Sequence, residues 1–208
     1  MGVVVIVANA PLRWSERLVA VVREAELVVA ADGGANHLAH IGVRPAAVVG
    51  DLDSIRPEVR AWVGEDRLLP RPDQEFTDLH KTLAHVIDER GAGRVTILGG
   101  TGGRPDHTVE NLALLARWAA RAELEMRDEE VRIVPVRSEA GFTVTPGATV
   151  SLLPVGRCER VWTTGLRWPL AGEPLDLDGR TGVSNQAAAE CITVRVAGGT
   201  LLVFLATG

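Results

Sequence analysis

Apolar, β-branched runs recur through the first half of the chain: Val3 to Ala8, Leu27 to Ala31, Ala46 to Val49 and Val95 to Leu98. Runs that are apolar at every position, not at alternate ones, mark strands buried on both faces, as in a parallel sheet. Between them the apolar spacing becomes helical. Ser15 is placed to cap a segment carrying Leu18, Val19, Val22 and Ala25. Short helices are expected after Asn36, through Leu38 and His40, and after Pro57, with a weaker strand near Arg67 to Leu69. Thr77 caps a helix with Leu79, Leu83, Val86 and Ile87 on one face, which Gly91 and Gly93 stop. Val109 to Trp118 is the last helical pattern. This alternation predicts an α/β N-terminal domain over residues 1–124, with a doubly wound, mostly parallel sheet.

After Trp118 the pattern changes. Arg121 to Glu130 is charge-rich and reads as a boundary or a strand-linking turn. Short β-like segments follow at Val131 to Val136, Phe142 to Val144, Thr149 to Leu153, Arg160 to Thr163, Cys191 to Val196 and Leu201 to Leu205. Turn signals such as Pro146-Gly147 and Gly198-Gly199 separate them. Residues 125–208 are therefore expected to form an all-β antiparallel sandwich.

Composition narrows the partners. A chain of 208 residues has room for two such domains. The formal net charge is −5 and no Lys/Arg-rich run occurs, which speaks against nucleic acid. No apolar run approaches the ~20 residues that span a bilayer, and the N-terminus lacks the basic flank of a signal peptide. A cytoplasmic protein with no membrane partner is expected. Cys158 and Cys191 show no metal-ligand spacing, so two buried free thiols are expected, with a disulfide left open.

Polar clusters fall repeatedly where a strand ends, which is where open α/β sheets bind ligands. Asp32-Gly33-Gly34 follows the second run, and Gly50-Asp51-Leu52-Asp53-Ser54 the third. Asp51 and Asp53 face one pocket only if the backbone turns at Leu52. Such a pair suits Mg²⁺ shared with substrate phosphates, and equally an Asx turn with a helix cap. Asp78 lies in a first helical turn with Lys81 on the same face, fitting either a third metal carboxylate with a phosphate contact or a well-capped surface helix. After the fourth run, Gly99-Gly100-Thr101-Gly102-Gly103-Arg104-Pro105-Asp106-His107 joins a glycine-rich loop to a helix. It reads as a phosphate cradle or as a tight turn. Arg104 suits bidentate phosphate contact. Asp106 suits orienting or deprotonating a hydroxyl, or binding metal, and Asn111 suits bracing the loop. GxxxxGK[ST], a GxGxxG after the first strand and a GxSxG elbow are all absent, which favours metal-assisted phosphoryl chemistry over covalent catalysis.

In their order, Ala31-Asp32-Gly33-Gly34-Ala35-Asn36, Gly50-Asp51-Leu52-Asp53-Ser54-Ile55, Asp73-Gln74 with Thr77-Asp78 and Lys81, and Leu98-Gly99-Gly100 through Gly103-Arg104-Pro105-Asp106-His107 with Asn111 resemble the motif series of the thiamine pyrophosphokinase family. Thr163-Thr164-Gly165-Leu166-Arg167-Trp168-Pro169-Leu170 and Gly182-Val183-Ser184-Asn185 resemble that family's thiamine-side segments.

The resemblance implies pyrophosphate transfer from MgATP to the hydroxyl of thiamine, giving thiamine diphosphate and AMP. It implies that Asp51, Asp53 and Asp78 hold Mg²⁺. Gln74, Lys81, Gly100, Gly103 and Arg104 would contact ATP, and Asp106 would sit beside the thiamine hydroxyl. Asp32, Trp168, Ser184 and Asn185 would bind substrate: Asp32 would lie in the same cleft, Trp168 would stack on thiamine, and Ser184 and Asn185 would line its pocket. It also implies a homodimer with active sites at the interface. Leu52 stands where an aromatic is usual in the family, and Pro105 separates Arg104 from Asp106. Two other readings remain: transfer to another hydroxymethyl acceptor such as a pterin, and a non-catalytic nucleotide or thiamine-diphosphate sensor on the same scaffold.

Overall fold

A computed structural model describes residues 2–207. Contacts divide it into two units. The first comprises the chain through Leu114 with Arg121–Glu129; the second comprises Leu115–Ala120 with the chain from Glu130 onward.

The first unit is an α/β sheet. Strands β1 (Val4–Val7), β2 (Leu27–Ala31), β3 (Ala47–Gly50), β4 (Leu68–Pro70), β5 (Arg94–Leu98) and β6 (Glu123–Arg127) run in the order β6-β5-β1-β2-β3-β4. All five pairings are parallel. β1 and β3 are buried at every position, as their unbroken apolar runs require. The helices are α1 (Glu16–Arg23), α2 (Gly34–His40), α3 (Pro57–Val63), α4 (Asp78–Ala84), which continues as a π-helical turn His85–Glu89, and α5 (Pro105–Trp118). Ser15 Oγ accepts from Leu18 N at 3.3 Å and starts α1, which buries Leu18 and Val22 one turn apart. Thr77 caps α4 in the same way, accepting from His80 N at 3.3 Å.

Successive strands travel outward from β1 to β4, and the chain then crosses to the other side of β1 to lay down β5. The strand order therefore reverses between β1 and β5. In open α/β sheets that is the crevice where ligands bind.

Two features depart from the sequence reading of this unit. The charged stretch 121–130 contains strand β6, where Leu124 and Met126 are buried and the intervening charges find partners. Glu123 pairs with Arg94 at 3.1 Å, and Glu125 accepts from Thr96 at 3.1 Å. Helix α5 begins at Pro105, four residues before the expected start, because proline's fixed φ and missing N–H suit a first helical position.

The second unit is a sandwich of two antiparallel sheets. It contains β7 (Val131–Val136), β8 (Glu139–Thr143), β9 (Thr149–Val155), β10 (Arg157–Thr164), β11 (Ala171–Asp176), β12 (Gly182–Gln186), β13 (Cys191–Ala197) and β14 (Thr200–Ala206). The sheet orders are β12-β9-β14-β7 and β11-β10-β13-β8. Burial alternates along β9 and β13, and their inward residues meet Leu201, Val203 and Leu205 of β14 in one core. Strands β11 and β12 are not announced by the sequence pattern, since their glycines and polar residues hide the alternation. Both cysteines are free, but only Cys158 is buried. Cys191 opens β13 on its outward phase and is exposed, correcting the expectation of two buried thiols. Among the described residues, no helix is long and apolar enough to cross a membrane.

Candidate active site

In the first unit, a cavity of about 690 Å³ is lined by Ala8 to Pro11 after β1, Ala31 at the end of β2, Asp51, Asp53 and Ser54 after β3, Gln74 to Leu79 and Lys81 around the start of α4, and the glycine loop after β5. Ala8 N donates to Leu98 O at 2.8 Å and Ala10 N to Gly99 O at 2.9 Å, so the β1 and β5 loops leave the sheet side by side. The crevice is the one the strand-order reversal creates.

Asp51 and Asp78 line its acidic floor, and Asp32 is buried next to them, off the cavity wall. Asp32, Asp51 and Asp78 each offer a carboxylate oxygen within 4.8 Å of the others. Backbone geometry brings them together. Asp32 N donates to Val49 O at 3.0 Å, tying the end of β2 to β3, and Asp32 itself has φ 40. Leu52 has φ 66, which turns the chain between Asp51 and Asp53. A Cβ on Gly50 would lie 2.8 Å from Asp32 Cβ and 2.9 Å from Asp78 Oδ1, so only glycine lets the three carboxylates approach. Two non-glycine residues in the left-handed region at one cleft is the kind of strain that gathers at functional sites.

Hydrogen bonds fix each carboxylate. Asp32 Oδ2 accepts from Ser54 N at 3.0 Å, while its Oδ1 is buried with no partner. Asp51 accepts from Gln74 Nε2 at 3.2 Å and from Asp53 N at 3.3 Å, and donates its own N–H to Asp78 Oδ1 at 3.3 Å. Asp53 also lines the cavity, but it stands outside the converging three, and its Oδ1 accepts from Ser54 Oγ at 2.8 Å. Lys81 is buried and donates to Arg71 O at 2.8 Å, with Asp78 Oδ1 at 3.4 Å.

Burial first, and then the charges of Asp78, Asp53 and Asp51, push the Asp32 carboxyl up to about 6 against the Ser54 bond. Burial and Asp51 likewise raise Asp78, with Lys81 opposing. The Gln74 bond leads in holding Asp51 below its ordinary value. Three carboxylates this close repel unless a proton or cation lies among them. Oxygen-only donors and an unpartnered, buried Oδ1 on Asp32 fit a hard divalent cation.

The glycine loop forms the opposite wall. Gly99, Gly102 and Gly103 line the cavity. Gly103 has φ 65, and a Cβ there would meet Pro11 Cδ at 2.8 Å. Gly100 lies off the cavity wall, close to Met126 Sδ, and its carbonyl accepts from buried Asn111 Nδ2 at 2.9 Å. Arg104 and Asp106 pair with each other through Arg104 Nε and Asp106 Oδ1 at 3.1 Å. Both are exposed. Of these two, Arg104 lines the cavity and Asp106 does not.

The sequence reading passed over Asn9 and Pro11 after β1, which the strand-end rule points to, and Phe76. Phe76 is half exposed at the cavity wall, with its ring edge-on to His80 at 4.3 Å between centroids. Only its position between Gln74 and Thr77 could have signalled it.

The second unit holds Trp168, Ser184 and Asn185. Trp168 is 55% exposed, so it is not a core tryptophan. Arg167 places its guanidinium carbon 4.9 Å from the indole centroid. Ser184 has φ 62 and donates its N–H to Ser151 Oγ at 3.0 Å. Asn185 is buried and bonded to the Trp168 backbone.

Comparison with known proteins covers both units. The family model for the thiamin pyrophosphokinase catalytic domain matches residues 18–127, and that for the thiamin pyrophosphokinase vitamin B1 binding domain matches residues 131–201. The chain is 30% identical to thiamine pyrophosphokinase 1 of Oryza sativa subsp. japonica, over 90% of this chain and 78% of that protein. In fold it is similar to the crystal structure of thiamine pyrophosphokinase from Bacillus subtilis, with TM-score 0.85 at 23% identity, covering 99% of each chain. It is also similar to thiamin pyrophosphokinase from Candida albicans, with TM-score 0.84 at 18% identity over 99% of this chain and 88% of that one.

Proposed function

The chain belongs to the thiamine pyrophosphokinase family of ATP-dependent pyrophosphotransferases, and we propose how its own residues carry the transfer from ATP to thiamine. The observation that supports this reading most is the convergence of buried Asp32 with Asp51 and Asp78, which line a cleft walled by a glycine loop. An acidic floor receives a triphosphate only together with a divalent cation. Asp32, Asp51 and Asp78 would hold Mg²⁺, with Asp53 at the cleft's edge. When bound, the ion supplies neutralisation of phosphate charge.

The protein residues then bind and orient. Gln74 and Lys81 hold Asp51 and Asp78 in place and border the phosphates. The backbone at Gly99, Gly102 and Gly103 admits the phosphate oxygens closely, Gly100 shapes the loop from behind, and Arg104 neutralises charge developing on the transferred group. The thiamine hydroxyl oxygen bonds to the β-phosphorus, and the bridge from that phosphorus to the α-phosphate breaks. AMP leaves with the bridging oxygen, and the hydroxyl proton is lost to a neighbouring base or solvent. Asp106 orients that hydroxyl, and Trp168 and Ser184 serve the thiamine rings. Stacking of a flat cationic substrate on an indole adds cation–π attraction.

In this reading the enzyme is a cytoplasmic homodimer whose active sites lie at the interface between two copies. A pterin acceptor and a non-catalytic sensor find no support beside a vitamin B1 binding domain match over residues 131–201. The test is AMP release from MgATP across a panel of acceptors including thiamine and a hydroxymethylpterin. Thiamine should be the preferred acceptor. Preference for the pterin, or release without any acceptor, would remove the acceptor assignment.

A further inference from the structure

We propose that Asn185 is a positioning residue: it fixes Trp168 and does not itself contact the substrate. This rests on the reading of Trp168 as the platform for thiamine. The two residues are 17 apart in sequence, yet the Asn185 carboxamide binds both sides of one residue's backbone. Its Oδ1 accepts from Trp168 N at 3.2 Å, and its Nδ2 donates to Trp168 O at 2.7 Å. The same Oδ1 also accepts from Gln186 N at 2.8 Å. A carboxamide has two acceptor sites and two donor hydrogens, so three of its four bonding positions are spent inside the protein. The side chain is buried, which leaves little of it to meet a ligand.

The local backbone geometry builds this clamp. β12 pairs with β9 at Gly182 and again at Asn185, and the register shifts between them. Ser184, at φ 62, sits in that irregularity. A bulge re-aims the following side chain, and here it turns Asn185 inward. Opposite, the segment after β10 is laid against the end of β12. Ala188 N donates to Gly165 O at 2.7 Å, and Arg167 N to Gln186 O at 2.8 Å. Gly165, at φ 72, admits the approach, since a Cβ there would lie 2.4 Å from Cys191 O. The Asn185 clamp extends this ladder by one residue to Trp168.

The indole is held from a second direction. Arg167 Nη1 donates to Gln186 Oε1 at 3.1 Å, and this guanidinium covers one indole face. Trp168 is therefore a pre-oriented exposed ring with one face covered by Arg167, and thiamine would stack on the other. Rigid presentation lowers the ordering cost of binding.

The experiment is a double-mutant cycle on thiamine kinetics. Trp168→Ala should raise the KM for thiamine about tenfold, the loss expected for one ring contact with a cation. Asn185→Ala should raise it similarly, with kcat within about threefold of wild type and the KM for ATP unchanged, the pattern of lost uniform binding. The double variant should be no worse than Trp168→Ala alone, because both changes remove one interaction. Asn185→Asp keeps the shape and both accepted bonds but sets a carboxylate oxygen against Trp168 O, where the Nδ2 donor stands at 2.7 Å; it should raise the thiamine KM at least as much as Asn185→Ala. If Asn185→Ala does not fold, judged by circular dichroism, Asn185→Asp carries the cycle.

Multiplying effects in the double variant would mean that Asn185 touches thiamine directly, and would overturn the proposal while leaving the Trp168 platform standing. An unchanged thiamine KM in Trp168→Ala would instead overturn the platform reading and the proposal with it.

Discussion

Arg104 and Asp106 hold each other across the first turn of α5, Arg104 Nε to Asp106 Oδ1 at 3.1 Å, on a loop where both side chains are exposed. The bond to Arg104 leads in holding the Asp106 carboxyl down to about 2. Asp106 is thus ionised throughout the neutral range and is a poor proton acceptor while paired. To grip a phosphate, Arg104 must give up part of this bond. The prediction is that Arg104→Ala lowers kcat/KM by about 10²–10³, the range for one lost donor to developing charge. Arg104→Lys should recover little, since the bidentate fork is missing. Thermal denaturation should be nearly unchanged, because exposed ion pairs contribute little to stability.

Asp32 connects activity to stability. Its carboxyl sits near 6 against an ordinary 3.8. Between those values the folded chain keeps a proton that the unfolded chain has lost. This group's contribution to the stability of the metal-free protein is complete below 3.8 and lost as pH rises through 6. Asn at this position stays neutral, keeps an acceptor for Ser54 N and tolerates the left-handed backbone. Asp32→Asn should therefore melt higher than the wild type at about pH 7.5 in a chelator, with the gap closing towards about pH 4. A gap that widens on acidification would contradict the assignment.

Gly50 is the hinge of the acidic floor. In Gly50→Ala the new methyl meets Asp32 Cβ and Asp78 Oδ1 at under 3 Å. At least one carboxylate must move, and misplacement by about 1 Å costs on the order of 10² in rate. Turnover should fall by about that factor, and the magnesium concentration for half-maximal rate should rise. Wild-type magnesium dependence would show that the three carboxylates do not act together.

The thiols differ in reach. Cys158 is buried, and its thiol is pushed up to about 11 by burial and then by Asp176, whereas Cys191 is exposed. Iodoacetamide should label Cys191 alone in the folded protein and both residues after denaturation. Labelling of Cys158 under native conditions would place it elsewhere.

Much of this cleft was legible in the sequence because parallel strands announce themselves as unbroken apolar runs. Asp32, Asp51 and the glycine loop each follow such a run, and Thr77 marks the start of α4. What the sequence could not show was that Asp32 converges with Asp51 and Asp78. That depends on β2 lying beside β3 in the register that sets Ala31 against Val49, and on the missing side chain of Gly50. β6 escaped notice because its alternate positions are charged and satisfied by neighbours on β5. The clamp on Trp168 was hidden too, since Asn185 is aimed by a bulge and a positive φ at Ser184, which no spacing rule reports.

The most direct test of the acidic cleft as the site of transfer is AMP release by Asp51→Asn and Asp78→Asn at saturating MgATP and thiamine, with the fold verified by circular dichroism. The cleft reading predicts that each variant loses about 10² or more in kcat, the scale of a lost electrostatic contribution to the transition state, while wild type forms AMP and thiamine diphosphate in equal amounts. Near-normal AMP release by both folded variants would contradict it.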